Sequence, residues 1–201
     1  MHVILDYGLG NLNSVQKGFE RVGLDTVITD DLAQIRNSKS IILPGVGAFR
    51  DAINLLREKD MFDVIINEAK KGKPILGICL GMQLLYDKSH EYGVYEGLGL
   101  IQGEIKMMDI SLKVPHMGWN SLIFDRPEDP LLKYIAEGDY VYYVHSYYAH
   151  SDNKEVIAHS NYEIDIPGII RNENVYGIQF HPEKSGLVGH NILIAYKELI
   201  I

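Results

Sequence analysis

One stretch of the chain, residues 73–87, joins three kinds of segment in an order that restricts the fold. Pro74 is followed by a short apolar run, residues 75–78, which is typical of a buried strand. Cys79, the only cysteine in 201 residues, comes next, with a glycine two positions before it and another two positions after it. Residues 80–86 contain good helix formers and no proline, which predicts a helix.

A strand, a reactive residue between glycines and a helix form the layout of a nucleophile elbow, here with cysteine in place of serine. Small neighbours let the chain turn sharply enough to expose the side chain, and a helix N-terminus favours the thiolate. Free cysteines are also often small buried hydrophobic residues. The stretch alone therefore leaves two roles open for Cys79, a nucleophile or a core residue.

Strands alternate with helical patterns on both sides of this stretch. Residues 3–5, 25–29 and 40–43 are predicted to be strands. Apolar side chains at helical spacing follow the first and the third of them: Leu12, Val15, Phe19 and Val22, then Phe49, Ile53 and Leu56, then Phe62, Ile65, Ile66 and Ala69. Residues 88–99 are polar and glycine-rich, which suggests a loop, and residues 100–180 favour strands, with one short helix near residues 130–136. A final helix carries an apolar stripe that begins at Val188.

This order predicts an α/β fold with an open, mostly parallel sheet flanked by helices. The strand-rich C-terminal half predicts an added antiparallel β-rich part. Neither a repeat nor a linker divides the chain, so residues 1–201 are expected to form a single domain.

Composition and motifs disfavour several classes of function. A net charge of -8 argues against nucleic-acid and anionic membrane partners. A lone cysteine fits a reducing compartment, and the absence of a signal-like start or a membrane-length apolar run predicts a cytoplasmic protein. Asn13 and Arg50 stand where a dinucleotide fingerprint needs its third glycine, and no metal-binding spacing of His or Cys is present. No cofactor is therefore expected.

Three loops that follow predicted parallel strands should gather at one edge of the sheet, namely residues 8–10, residues 45–47 and the Cys79 turn. A glycine loop beside a nucleophile can present backbone N–H groups to an oxyanion. Residues 45–47 suit this role, with the Leu80 amide as the second donor.

His181 stands out among eight histidines as the base that a cysteine nucleophile needs. It follows a strand directly, and Pro182 favours an extended chain. In an extended chain His181 and Glu183 point to the same side, so Glu183 can orient the ring toward Cys79. His116 and His145 have no carboxylate two residues away. An isolated histidine at a strand end would more commonly be a surface or capping residue.

Two motifs, residues 77–83 (GICLGMQ) and 180–183 (FHPE), resemble those of the class I (triad) glutamine amidotransferases. Four further segments resemble the glutaminase subunits of imidazole glycerol phosphate synthases within that family: residues 6–12, 43–49, 115–120 and 181–185. The resemblance spans essentially the whole chain, and the triad positions show no departure from the family pattern.

The resemblance implies hydrolysis of L-glutamine to glutamate and ammonia by a triad of Cys79, His181 and Glu183. Cys79 would attack the side-chain amide, and amides of Val46 or Gly47 and of Leu80 would stabilise the oxyanion. The remaining substrate contacts implied by the family are Gly45, Gln83, Glu91, His145, Ser146 and Tyr147.

Ammonia in water at neutral pH is mostly protonated, so a glutaminase without an acceptor site implies a partner. The resemblance implies the cyclase subunit of imidazole glycerol phosphate synthase, in a heterodimer that serves histidine biosynthesis. Candidate interface residues are Asn11, Pro115, Met117, Trp119 and Lys184. Trp119 could instead pack in the core. Another amidotransferase partner, a stand-alone γ-glutamyl cysteine hydrolase and a non-catalytic docking protein remain alternatives.

Overall fold

A computed structural model describes residues 1–152 and 154–201, and strands alternate with helices through its first part. In chain order these elements are β1 (His2–Leu5), α1 (Leu12–Arg21), β2 (Thr26–Thr29), α2 (Leu32–Asn37), β3 (Ile41–Gly45), α3 (Phe49–Glu58), α4 (Met61–Lys70), β4 (Ile75–Cys79) and α5 (Leu80–Leu84).

The later part is rich in strands and ends in a long helix. Its elements are β5 (Tyr86–Ser89), β6 (Tyr95–Glu96), β7 (Ile101–Met107), β8 (His116–Ser121), β9 (Ile123–Phe124), β10 (Tyr140–His145), β11 (Tyr147–His150), β12 (Val156–Tyr162), β13 (Ile164–Asn172), β14 (Val175–Ile178) and α6 (Gly186–Ile200). Short 3₁₀ turns lie at Pro130–Leu132 and Pro182–Lys184.

An eight-stranded sheet in the order β2-β1-β3-β4-β14-β13-β12-β9 runs through the molecule. The five neighbouring strands β2, β1, β3, β4 and β14 pair in parallel. Strands β13, β12 and β9 then extend the sheet through antiparallel pairs. Two smaller sheets, β10-β8 and β11-β7-β5-β6, stand beside it. The predicted fold class, a mostly parallel α/β sheet with an added antiparallel part, is confirmed.

The two faces of the large sheet bury two separate apolar clusters. Along β1, Leu5 belongs to the cluster that contains Phe49 of α3, whereas Ile4 belongs to the cluster that contains Phe19 of α1 and Tyr196 of α6. Successive side chains on a strand point to opposite faces, so an uninterrupted apolar run supplies both clusters. This explains why β1 and β3 contain continuous apolar segments, residues 3–5 and 41–43.

Local predictions were wrong in three places. The helix expected over residues 80–86 ends at Leu84, because the chain enters β5 and the Leu84 carbonyl accepts from the amide of Leu98 at 2.8 Å. Residues 88–99 are not only loop, since they contain the end of β5 and all of β6. The helix expected near residues 130–136 is reduced to the turn Pro130–Leu132.

Helix α2 was missed because it spans six residues and buries only Ile35, too few to show a periodic stripe. Its start is stabilised by the Asp31 side chain, which accepts from the amides of Ala33 at 2.7 Å and Gln34 at 3.3 Å. Within the described part of the chain, no helix has both the length and the apolar character needed to cross a membrane.

Candidate active site

A cavity of about 470 Å³ opens where the carboxyl ends of β3 and β4 lie side by side. The register pairs Gly45 with Cys79, which brings the turn after β3 against the elbow. Residues from six separate segments line the cavity: Val46 and Gly47, then Cys79, Leu80 and Gln83, then Glu91 and Tyr92, then Met107, then Val144, His145, Ser146 and Tyr147, and finally His181. The cavity therefore sits where parallel α/β sheets ordinarily bind ligands.

Cys79 adopts the strained backbone expected of a nucleophile elbow, with φ 57° and ψ −114°. Gly77 and Gly81, two residues on either side of Cys79, are needed because the backbone packs too closely there for a side chain. A Cβ on Gly77 would lie 2.5 Å from the Gly81 carbonyl oxygen, and a Cβ on Gly81 would clash with the carbonyl oxygen of Leu43. The elbow is thus pressed against β3, and positive φ at a non-glycine residue is maintained by that packing.

His181 faces the elbow and is held from behind by Glu183. Its Nδ1 donates to Glu183 Oε1 at 2.9 Å, and its ring is almost completely buried. The backbone of His181 is extended, but Pro182–Lys184 forms a 3₁₀ turn instead of the extended segment that the sequence suggested. The turn, fixed by a hydrogen bond from Ser185 Oγ to the His181 carbonyl at 2.7 Å, brings Glu183 back to the ring.

Electrostatics favour a protonated ring at His181. Burial alone would lower the pKa of His181, but hydrogen bonds to Cys79 and Glu183, together with their negative charge, outweigh burial and raise that pKa to about 9. The ring therefore bridges the sulfur and the carboxylate as an imidazolium near neutral pH. Such a pair suits a thiolate nucleophile next to a proton donor.

The turn after β3 supplies the groups expected to stabilise an oxyanion. Gly47 has φ +95°, a conformation that favours glycine, and Val46 is partly exposed at the cavity mouth. Leu80 follows Cys79 at the start of α5. Gly45 does not line this cavity and is packed so closely against the Tyr7 hydroxyl and the elbow that a side chain could not fit.

Glu91 lies buried at the cavity wall, where its Oε2 accepts from the backbone amide of Phe49 at 2.7 Å. Burial raises the pKa of Glu91, the Phe49 amide partly offsets that rise, and the charge of Asp51 adds to it. The carboxylate thus stands at the start of α3 and reaches the cavity from a segment 12 residues after the elbow.

Gln83, His145 and the segment Ser146–Tyr147 meet at another part of the cavity wall. Gln83 Nε2 donates to the Tyr147 carbonyl at 3.0 Å, and His145 Nδ1 donates to the same oxygen at 2.8 Å. Burial lowers the pKa of His145 to about 4, an effect only partly countered by its bond to Tyr147. His145 is therefore a neutral residue with both ring nitrogens engaged by the protein, since Nε2 lies 2.9 Å from His116 Nδ1.

Three cavity residues were missed by sequence reasoning: Tyr92, Met107 and Val144. Tyr92 packs edge-on against Tyr147 with ring centroids 6.4 Å apart. Neither motif nor periodicity marks these residues. Tyr92 and Met107 reach the cavity only when β5, β6, β7 and β11 form one sheet, and Val144 reaches it from β10.

Strand β8 carries two exposed apolar side chains that were expected at a partner interface. Trp119 is 55% exposed and Met117 60% exposed, so the alternative that Trp119 packs in the core is wrong. The Trp119 ring packs edge-on against the ring of Tyr142 in β10, with ring centroids 5.9 Å apart. Tyr140, also in β10, is exposed. The remaining proposed interface residues lie at the surface: Asn11 and Lys184 are exposed and Pro115 is half-buried.

Across residues 1–152 and 154–201, no group of three or more His, Cys, Asp or Glu side chains is arranged to hold a metal ion.

The family model described as "Glutamine amidotransferase class-I" matches residues 3–196 of this chain. The protein called "Imidazole glycerol phosphate synthase subunit HisH" from Caldanaerobacter subterraneus subsp. tengcongensis is 50% identical, covering 98% of this chain and 97% of that protein. Its counterpart of the same name from Oceanobacillus iheyensis is 48% identical over the full length of both.

Solved structures with the same fold share much less sequence. "Structure of PurLQS from Thermotoga maritima" superimposes with a TM-score of 0.77 at 19% identity, covering 100% of this chain and 98% of that one. "Crystal structure of glutamine amidotransferase" gives a TM-score of 0.76 at 18% identity, covering 98% and 97% of the two chains.

Proposed function

This chain belongs to the class I glutamine amidotransferase family, and from that premise we propose that it is the glutaminase subunit of an imidazole glycerol phosphate synthase, acting in histidine biosynthesis. Full-length relatives of that name, at 46% to 50% identity, support the choice within the family. The observation that carries the proposal is the alignment of Cys79, His181 and Glu183 at a cavity of sufficient size for an amino acid.

In the proposed reaction the Cys79 thiolate attacks the side-chain amide carbon of L-glutamine. The resulting tetrahedral oxyanion accepts hydrogen bonds from the Leu80 amide and from an amide of the Val46–Gly47 turn. When the intermediate collapses, the C–N bond breaks and the His181 imidazolium gives its proton to the departing ammonia. A γ-glutamyl thioester on Cys79 remains.

Hydrolysis of the thioester uses the same groups in reverse. Neutral His181 takes a proton from water, the hydroxide attacks the thioester carbonyl, and the C–S bond breaks to release glutamate. Cys79 leaves as the thiolate, and His181 is again protonated. Glu183 keeps the imidazole in the orientation that both steps need and stabilises its positive charge.

The cavity wall supplies groups of opposite character for the two ends of the amino acid. The Glu91 carboxylate and the Gln83 side chain suit the α-ammonium group, and the segment Ser146–Tyr147 with the turn that follows Gly45 suits the α-carboxylate. His145 supports this wall.

The proposed partner is a cyclase subunit that consumes the ammonia, in a heterodimer with the exposed β8 face and the rim of the cavity at the interface. Asn11, Pro115, Met117, Trp119 and Lys184 are the proposed contacts. The negative net charge supports the absence of a nucleic-acid or membrane partner, and the unpaired Cys79 supports a cytoplasmic location.

The decisive experiment measures glutamate release from glutamine with and without the cyclase. Cys79→Ala should abolish release in both conditions, and a glutamine-mimicking electrophile should label Cys79 in the unmodified protein. We expect weak turnover from the isolated subunit and strong turnover in the complex, because hydrolysis without an acceptor wastes glutamine.

Each alternative predicts a different result. Retained glutamate release in Cys79→Ala would contradict the proposed nucleophile. Strong turnover that is equal with and without the cyclase would indicate a stand-alone hydrolase. A Cys79 without enhanced thiolate reactivity between about pH 6 and 8 would indicate a non-catalytic docking protein.

A further inference from the structure

A partly buried chain of hydrogen bonds, which the mechanism above does not use, runs from strand β8 to the cavity wall. Asn120 Nδ2 lies 3.3 Å from His116 Nε2, and His116 Nδ1 lies 2.9 Å from His145 Nε2. His145 Nδ1 in turn lies 2.8 Å from the carbonyl oxygen of Tyr147. The chain therefore ends on the backbone of a cavity-lining segment.

Chemistry at the two ends determines the direction of every bond between them. The Asn120 NH₂ group can only donate, so His116 Nε2 accepts and the proton of that ring is on Nδ1. His116 then donates to His145 Nε2, which leaves the His145 proton on Nδ1. The Tyr147 carbonyl can only accept, and the His145 Nδ1–H group donates to it. A single pair of neutral tautomers thus satisfies all three bonds.

Burial keeps both rings neutral, since it lowers the pKa of His116 and of His145 to about 4. The His116 ring is also stacked between two tyrosines, 4.6 Å from the Tyr143 centroid and 4.0 Å from that of Tyr162. The Asn120 amide is anchored by a second bond to the Asn161 carbonyl at 3.0 Å. The donor that His116 presents is therefore fixed in place before any ligand arrives.

The Tyr147 carbonyl also accepts a second hydrogen bond, from Gln83 of α5. Gln83 Nε2 donates to it at 3.0 Å and also donates to Gln179 Oε1 at 3.0 Å. These two bonds use both hydrogens of the Gln83 amide, so the Gln83 side-chain oxygen is the atom available to a ligand. Displacement of the Tyr147 carbonyl would therefore disturb Gln83 as well.

We propose that His116 is a positioning residue for glutamine binding, acting through His145 to hold the Tyr147 carbonyl, the Ser146–Tyr147 segment and the Gln83 amide in their binding geometry. This inference rests on the proposed glutaminase function. His116 itself does not line the cavity, so its effect is on the affinity for glutamine and not on the chemical step.

Two substitutions of His116 distinguish the loss of its hydrogen bond to His145 from the loss of its packing between the tyrosines. His116→Phe keeps an aromatic ring between Tyr143 and Tyr162 but removes the donor to His145. His116→Asn loses the ring but returns an amide N–H close to the position of Nδ1. If the donor matters, the asparagine variant is closer to the wild type in glutamine affinity although it packs less well.

The test is steady-state glutamate release by the subunit in complex with the cyclase. His116→Phe should raise KM for glutamine about 10-fold with kcat within about 2-fold, as expected when one hydrogen bond to a buried acceptor is lost. His116→Asn should restore KM to within about 3-fold of the wild type. An unchanged KM in a folded His116→Phe variant, or an equal rise in KM for both variants, would contradict the positioning role.

Nitrogen NMR of the histidine rings provides a readout that does not depend on turnover. The wild type should show His116 and His145 as neutral rings protonated on Nδ1 at neutral pH, and the His145 pattern should change in His116→Phe. Another tautomer at either ring would overturn the proposal. Absence of glutamine turnover in the wild type would instead contradict the proposed function, so the two failures are distinguishable.

Discussion

His181 shows at the scale of one residue how burial and partners oppose each other. Burial favours the neutral ring, yet the sulfur of Cys79 and the carboxylate of Glu183 on either side of it favour the cation and raise its pKa to about 9. The ring is almost fully buried, so solvent screens these interactions weakly. The charge state of the His181 ring is therefore set by its contacts with Cys79 and Glu183 and not by the ordinary pKa of histidine.

Replacement of Glu183 by Gln should lower both activity and the pH dependence of stability. Glutamine keeps the shape but removes the charge that stabilises the imidazolium, so we expect kcat to fall by about 10²- to 10³-fold. In the wild type the folded-state pKa of His181 lies above its unfolded value of 6.5, so its contribution to stability is complete below pH 6.5 and is lost as pH rises through about 9.

Urea unfolding at pH 6 and pH 10 measures this effect. The difference in unfolding free energy between wild type and Glu183→Gln should be on the order of 1–3 kcal/mol at pH 6 and smaller at pH 10. Glu128→Gln, which neutralises an exposed carboxylate, serves as the matched control and should show neither change. If the difference in unfolding free energy between wild type and Glu183→Gln were the same at both pH values, the raised pKa of His181 would be contradicted.

At the scale of elements, the elbow depends on contact between α5 and β3. Gly81 leaves no room for a Cβ because the carbonyl of Leu43 occupies that space. This contact brings the turn after β3 beside Cys79, which is the arrangement that an oxyanion site needs.

Gly81→Ala should therefore destabilise the protein by roughly 2–4 kcal/mol, through a clash between backbone segments that cannot move independently. Denaturant unfolding gives the free energy, and electrophile labelling of the folded fraction should report a less reactive Cys79.

Gly72→Ala is a useful control because an added Cβ there meets open space and the only cost is its φ of +87°. That cost should be about 1–2 kcal/mol. Equal losses of stability in the two variants would show that the close approach of α5 to β3 is not the source of the effect.

On the scale of the whole molecule, exposed aromatic and apolar side chains gather on β8 and β10, beside the elements that form the cavity wall. Met117, Trp119 and Tyr140 are each more than half exposed. Aromatic residues of this kind commonly dominate binding energies at interfaces. The same two strands carry His116 and His145 toward the interior, so one small sheet serves both the surface and the cavity.

Trp119→Ala should weaken binding of the cyclase while leaving the isolated subunit folded. An exposed side chain contributes little to folding, so the unfolding free energy should change by less than about 0.5 kcal/mol. Loss of an interface tryptophan should raise the dissociation constant by about 30-fold or more, measured by calorimetric titration with the cyclase.

Val27→Ala on the edge strand β2 removes an exposed apolar side chain outside the proposed interface and should leave the affinity unchanged. Wild-type affinity in Trp119→Ala would exclude this residue from the interface.

Features that depend on the local order of residues were predictable from the amino-acid sequence. The alternation of apolar runs and helical stripes specified a parallel α/β sheet, because strand and helix periods are local properties of the chain. The residues around Cys79 and the short spacing between His181 and Glu183 were equally visible, since each belongs to one continuous segment.

Features that join distant segments became visible only in the folded protein. Sequence reasoning paired His181 with Glu183 through an extended chain, whereas a 3₁₀ turn makes the contact. The bond between His116 and His145, the exposure of Trp119 and the position of Tyr92 at the cavity all depend on which strands become neighbours. Periodicity assigns a residue to a face, but the packing of separate strands selects the partner it meets there.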